Sequence, residues 1–122
     1  MEKESKYGYA ETIARLSKAI TDAGNTIFAT IDQAKAAEGA GMKLRPTTLI
    51  VFGNPKGGTP LMDGHPLFAL ELPLKIIVWE DGGMTFVAYG SMADAARRYD
   101  IEGDSRIAMM DRALDTLTEA IS

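Results

Sequence analysis

Leu49-Ile50-Val51-Phe52-Gly53-Asn54-Pro55-Lys56-Gly57-Gly58-Thr59-Pro60-Leu61-Met62 reads as a buried strand that breaks into a glycine-rich turn and restarts as a helix. The apolar run has the length of a strand, and Asn54-Pro55 and Gly57-Gly58 punctuate it. Thr59 followed by Pro60 has the N-cap and first-turn pattern of a helix start. A strand end, backbone amides, a lysine and a helix N-terminus therefore converge between Asn54 and Met62. The first N–H groups of a helix lack intrahelical partners and its dipole favours negative charge there. The turn is accordingly a candidate anion site built from Asn54, Lys56, Gly57, Gly58 and Thr59. The competing reading is a purely structural strand-to-helix turn. It is not a Walker A loop, because the lysine precedes the glycine pair.

Downstream, Leu74 to Glu80 and Met84 to Tyr89 are two β-rich runs joined across Asp81-Gly82-Gly83, the composition of a tight antiparallel hairpin. In the first run Leu74, Ile76 and Val78 share one face, while Lys75, Ile77 and Trp79 share the other, so something is expected to cover each side. Trp79 and Tyr89 fall on opposite arms and are expected on the same side, either as a wall for a planar ligand or as a packed cross-strand pair. Upstream, Thr26 to Ile31 reads as a strand with Ile27, Ala29 and Ile31 turned to the core. Before it, Ile13, Leu16, Ile20 and Ala23 recur at helical spacing over Ala10 to Ala23, which Gly24 ends. Asp32 to Gly41 reads as a short helix or loop.

The C-terminal third is helical. Ser91-Met92-Ala93-Asp94 resembles a capping box and opens a helix to about Tyr99. From Asp104 as N-cap, Ile107, Met110, Leu114, Leu117 and Ile121 recur at steps of three and four, the seam of a helix packed along its length. Two heptads are too few to argue for a coiled coil, so the seam is assigned to the sheet of the same subunit.

With 122 residues and 46% hydrophobic content, the chain is read as one domain spanning 1–122, with residues 1–8 as a poorly ordered lead-in. Cysteine is absent, which removes disulfides, thiolate metal sites and cysteine nucleophiles and points to a cytoplasmic protein. No signal peptide or spanning segment is recognised, so no membrane partner is expected. Thirteen Lys plus Arg against 17 Asp plus Glu give a net charge of -4, which argues against nucleic acid as a partner. His65 is the only histidine, and Asp63-Gly64-His65 matches no metal-ligand spacing, so neither metal nor cofactor is expected. No serine lies in a Gly-x-Ser-x-Gly elbow. Asp32, Glu71, Glu80 and Asp81 stand at strand ends, where a pair could converge for acid–base work or serve as plain solvated caps.

Phe52-Gly53-Asn54-Pro55-Lys56-x-Gly58-Thr59-Pro60-Leu61-Met62, followed by Leu72-Pro73-Leu74-Lys75 and Val78-Trp79-Glu80-Asp81, resembles the family catalogued as domain of unknown function 302 (DUF302). Thr30-Ile31-Asp32 and Leu44-Arg45-Pro46-Thr47 also fit, so the likeness runs from about Ala23 to Tyr89. It implies a fold and no reaction: a small α+β domain with a curved, mostly antiparallel sheet of about four strands and a long C-terminal helix, similar to a single TATA-binding-protein-like repeat, and a tendency to dimerise. Gln33 stands where the resemblance implies a histidine, which weakens the case for a histidine-based site. The family's opening strand is expected to be missing or rudimentary before Tyr9, and Gly90-Ser91-Met92 replaces an Asn-Asp-Pro-like turn. The functional expectation is non-catalytic binding of a small anionic or amphipathic ligand at Asn54 to Met62 by a homodimer. The alternatives are an enzyme whose carboxylates the fold assembles and a dimeric protein-interaction domain.

Overall fold

Burial alternates along Thr47–Gly53, with Thr48, Ile50 and Phe52 sealed and Leu49 and Val51 half-buried, so the most apolar run of the chain is a strand with one covered face. A computed structural model describes residues 1–122. Its elements are β1 (Glu2–Glu4), α1 (Tyr9–Asp22), β2 (Thr26–Asp32), α2 (Gln33–Gly39), β3 (Thr47–Gly53), α3 (Pro55–Gly64), β4 (Leu74–Asp81), β5 (Met84–Ala88), α4 (Met92–Arg97) and α5 (Ser105–Leu117). Short 3-10 helices occupy Pro66–Glu71 and Thr118–Ile121. The strands form one antiparallel sheet in the order β1-β5-β4-β3-β2.

One face of this sheet presents Ile50, Phe52, Ile76, Val78 and Val87, which join Leu16 and Ile20 of α1 and Ile107, Leu114 and Leu117 of α5 in a single apolar core. The expected seam of the C-terminal helix thus lies on its own sheet, except that Met110 is only half-buried. The opposite sheet face carries Leu49, Val51, Ile77, Trp79 and Phe86. These side chains are half-buried, and none belongs to the core or packs against it. The domain is therefore α+β with helices on one side of an open sheet.

The sheet has five strands where about four were expected. Met1 to Glu4 is part of it: β1 pairs with β5, and the Tyr89 amide donates to the Met1 carbonyl at 3.0 Å. Lys3 is held on the helical side by a 2.6 Å bond from Nζ to Thr118 Oγ1. A strand of three charged residues is a sound edge, because its brevity and charge discourage further pairing.

Two expectations about side-chain direction are corrected. In β2, Ile27 stands opposite Phe52 and Ala29 opposite Val51, so Phe28 is an extra residue in a bulge. Ile27 keeps its place on the core face, whereas Ala29 and Ile31 turn to the open face beside Val51 and Leu49. In the hairpin Trp79 pairs with Phe86, their rings stacked with centroids 5.4 Å apart, and Tyr89 is on the other side. Phe86 and Tyr89 differ by an odd number of positions, and Tyr89 is buried with its hydroxyl donating to Asp115. The turn itself is as expected: Gly82 and Gly83 take φ of 58° and 81°, the two positive values of the tight turn that matches strand twist.

The caps at Ser91 and Asp104 are also present, accepting from the amides of Asp94 at 3.1 Å and Arg106 at 2.9 Å. Side-chain hydrogen bonds from Arg106, together with that amide, hold the Asp104 carboxyl down to about 2.

Candidate functional site: a cleft between α3 and α5

The helix after β3 starts five residues earlier than Thr59-Pro60 predicts. Asn54 is its N-cap, with Oδ1 accepting from the Lys56 amide at 3.0 Å, and Pro55 fills the first helical position. The amides of Gly57 and Gly58 both donate to the Asn54 carbonyl, at 3.0 and 2.8 Å. Thr59 and Pro60 therefore lie inside α3, where Pro60 has no N–H to give the Lys56 carbonyl. This corrects the physical basis of the anion site: the Gly57 and Gly58 amides are spent on the helix itself and do not form an open nest.

All five residues singled out in the sequence nevertheless line one cleft. Asn54, Lys56, Gly57, Gly58 and Thr59 form a wall of a cavity of about 800 Å³. Its floor is made where strands end and begin, at Gly53 and at Leu72 to Leu74. The second wall is α5, through Arg106, Met109, Met110, Arg112, Ala113 and Thr116. Phe28, the extra residue of the β2 bulge, lines the cleft with 54% of its surface exposed, and Met109 on α5 lines it with 59% exposed. An added Cβ on Gly53 would meet the Phe28 ring at 3.5 Å, so the strand end is close beneath that ring.

The charge on this surface is one-sided. No aspartate or glutamate lines the cleft, although the chain holds 17 acidic residues. Its ionic groups are Lys56, Arg106 and Arg112. Arg106 is neutralised by Asp104, with guanidinium nitrogens 2.6 to 3.2 Å from its carboxylate. Lys56 and Arg112 are exposed, on opposite walls, and enter no ion pair. An apolar trough with two spare cations suits an anion that carries an apolar body.

The other candidates disperse. Asp32 caps α2 by accepting from the Lys35 amide at 2.9 Å. Glu71 accepts from Arg98, and from the Tyr99 hydroxyl at 3.1 Å; the Arg98 hydrogen bond is the main reason its carboxyl is held below the usual range. Asp81 lies 3.6 Å from Arg45. His65 terminates α3, where its amide donates to the Leu61 carbonyl. No group of three or more His, Asp or Glu side chains assembles into a metal-holding cluster. A second depression, of about 550 Å³, lies between Tyr9 and α2 and has Asp32, Lys35, Glu38 and Lys43 of both signs around it.

The residues that sequence reasoning missed are those of α5 and the bulged Phe28. A signal for the former exists: Arg106, Met109, Met110, Ala113 and Thr116 recur at steps of three and four, a second stripe beside the core seam.

A family model described as "Domain of unknown function DUF302" matches residues 1–117. The chain is similar to the crystal structure of an uncharacterized conserved protein DUF302 from Bacillus stearothermophilus, with a TM-score of 0.92 at 16% identity, over 100% of this chain and 97% of that one. That likeness shows the fold. Two proteins named fluoride-specific ion channel FluC 1, from Brucella suis biovar 1 (strain 1330) and Brucella abortus biovar 1 (strain 9-941), are each 36% identical to it over 107 residues. The match covers 87% of this chain and 42% and 40% of theirs, so the chain spans about two fifths of the length of these curated relatives. No helix of this chain is long and apolar enough to cross a membrane.

Proposed function

We propose, starting from a chain that belongs to the DUF302 family, that it binds a small amphipathic anion in the cleft between α3 and α5 and performs no chemistry on it. The observation that carries this reading is the cleft's charge: an acidic chain of net -4 places no carboxylate on the lining of this cleft and leaves Lys56 and Arg112 there outside any ion pair. The same observation weighs against the enzymatic alternative, since acid–base work by paired carboxylates has no carboxylate to use in this cleft. Native mass spectrometry of gently purified protein, compared with the denatured sample, is expected to show a small anionic mass that denaturation releases. Protein that carries no such mass and takes up none from a lipid or metabolite extract contradicts the reading.

A dimer is proposed on a separate observation, the open sheet face with the Trp79–Phe86 stack and Leu49, Val51 and Ile77 around it. A second copy of that face would exclude water from side chains that the fold leaves half-wet. Sedimentation equilibrium at micromolar concentration is expected to give a dimer, and Trp79→Glu a monomer. A wild-type monomer under those conditions refutes the dimer. A cytoplasmic setting is proposed with it, from the absence of cysteine.

The Brucella relatives support a second place of action, beside a fluoride channel. In such an assembly this chain would be a binding attachment and not the conducting part, having no helix fit to cross a membrane.

A further inference from the structure

Resting on the binding reading above, we infer that the ligand is a single-chain acyl anion, a flexible alkyl tail ending in a carboxylate or phosphate. Its head sits between Lys56 and Arg112, and its tail lies along α5.

Five features of the cleft point to this class. The two spare cations come from opposite walls, one from the first turn of α3 and one from the middle of α5, so a single anionic head can be held between them. The Gly57 and Gly58 amides are already bonded, which leaves head recognition to side-chain charge and removes the amide cradle that a bare inorganic anion would use. The apolar lining includes three unbranched, adaptable side chains, Met62, Met109 and Met110, beside Leu72, and these can reshape around a bending tail. A planar ligand would call for an aromatic platform, and the one stacked aromatic pair, Trp79–Phe86, lies on the other side of the sheet; only Phe28 lines the cleft. Finally, from Arg112 the α5 wall runs back past Met110 and Met109 to Arg106, about 9 Å at the helical rise, which a medium-length alkyl tail fills and a small acid does not.

The geometry also explains why α5 carries a stripe that its core does not use. Ile107, Leu114, Leu117 and Ile121 bind the helix to the sheet, whereas Met109 stays 59% exposed on the cleft side. An acyl tail would cover that side chain and Phe28 together.

The experiment is isothermal titration calorimetry of the full chain, stripped of retained lipid, with octanoate, decanoate, dodecanoate and tetradecanoate below their micellar concentrations. Affinity is expected to rise steeply with chain length, up to about fourfold per methylene, since a fully buried CH2 carries about 0.8 kcal/mol. It should level off once the tail outgrows the cleft. The double variant Lys56→Gln/Arg112→Gln, altered only at exposed side chains, is expected to weaken dodecanoate at least tenfold while leaving neutral dodecanol unchanged. Met109→Glu is expected to weaken the long tails more than octanoate. Comparison of dodecanoate with dodecyl phosphate tells which head the pair of cations prefers. Affinity that is flat across the series, or equal in wild type and double variant, overturns the acyl assignment. If anilinonaphthalene sulfonate binds the cleft and no alkyl anion competes, the broader binding reading survives and this one falls; if neither binds, both fall.

Discussion

Phe52→Ala is expected to remove about 3–5 kcal/mol of folding stability, the range for deleting a buried aromatic ring from a core that relaxes only in part. Phe52 has no exposed surface, sits near the end of β3, and stands opposite Leu74 on one neighbouring strand and Ile27 on the other. Its removal withdraws ring area from water-free packing and leaves a void that strands fixed on both sides are poorly placed to close. Native domains of this size are stable by about 5–15 kcal/mol, so the variant should be close to unfolding or partly unfolded at physiological temperature. Urea titration followed by circular dichroism would show the midpoint fall with the slope retained. A loss below about 1 kcal/mol would mean that the core is not organised around this residue.

Asp111→Ala is expected to cost about 2–3 kcal/mol through a different mechanism. The Asp111 carboxylate accepts from the Met92 amide at 2.7 Å and the Ala93 amide at 3.1 Å, tying the first turn of α4 to the side of α5. These are charge-assisted bonds at a helix N-terminus, where orphan donors and the dipole both favour an anion. The truncation leaves two part-buried amides without partners, and α4, at six residues, has no helical length of its own to hold it in place. Ala95 and Ala96 would then lose their seat in the core. Faster hydrogen exchange at Met92 and Ala93 should accompany the loss, and Asp111→Asn, which keeps an acceptor, should recover part of it. Exchange unchanged at those amides would place the cost elsewhere.

What the sequence made legible was local chemistry. Gly82-Gly83 between two β-rich runs specified the hairpin, Ser91 and Asp104 specified helix starts, and the Ile107 to Ile121 spacing specified which side of α5 meets the sheet. Errors arose where two local signals competed or where one residue shifted a period. Asn54-Pro55 and Thr59-Pro60 are both N-cap and proline pairs; the earlier one prevails because Gly57 and Gly58 can continue the turn onto the Asn54 carbonyl. The β2 bulge is invisible in Thr26 to Asp32, yet one inserted residue turns Ala29 and Ile31 to the opposite face. Glu2-Lys3-Glu4 reads as solvent-facing charge and becomes a strand only because β5 offers an edge.

The candidate site was half legible for the same reason. Its α3 wall is contiguous in sequence, so a strand, a turn and a lysine could be read together. Its α5 wall lies roughly fifty residues further on, and only the fold brings Met109, Met110 and Arg112 across from Lys56. What the sequence suggested as an amide nest for an anion is, in three dimensions, an apolar trough with charge at two points.

The most direct test of that conclusion is an amide-shift titration of isotope-labelled protein with anilinonaphthalene sulfonate, an apolar anion of general character. Binding in the cleft predicts shifts that gather at Gly57, Gly58, Met109, Met110 and Ala113, residues on both walls. Shifts confined to Val51, Trp79 and Phe86 on the open sheet face, or none up to millimolar probe, would contradict it.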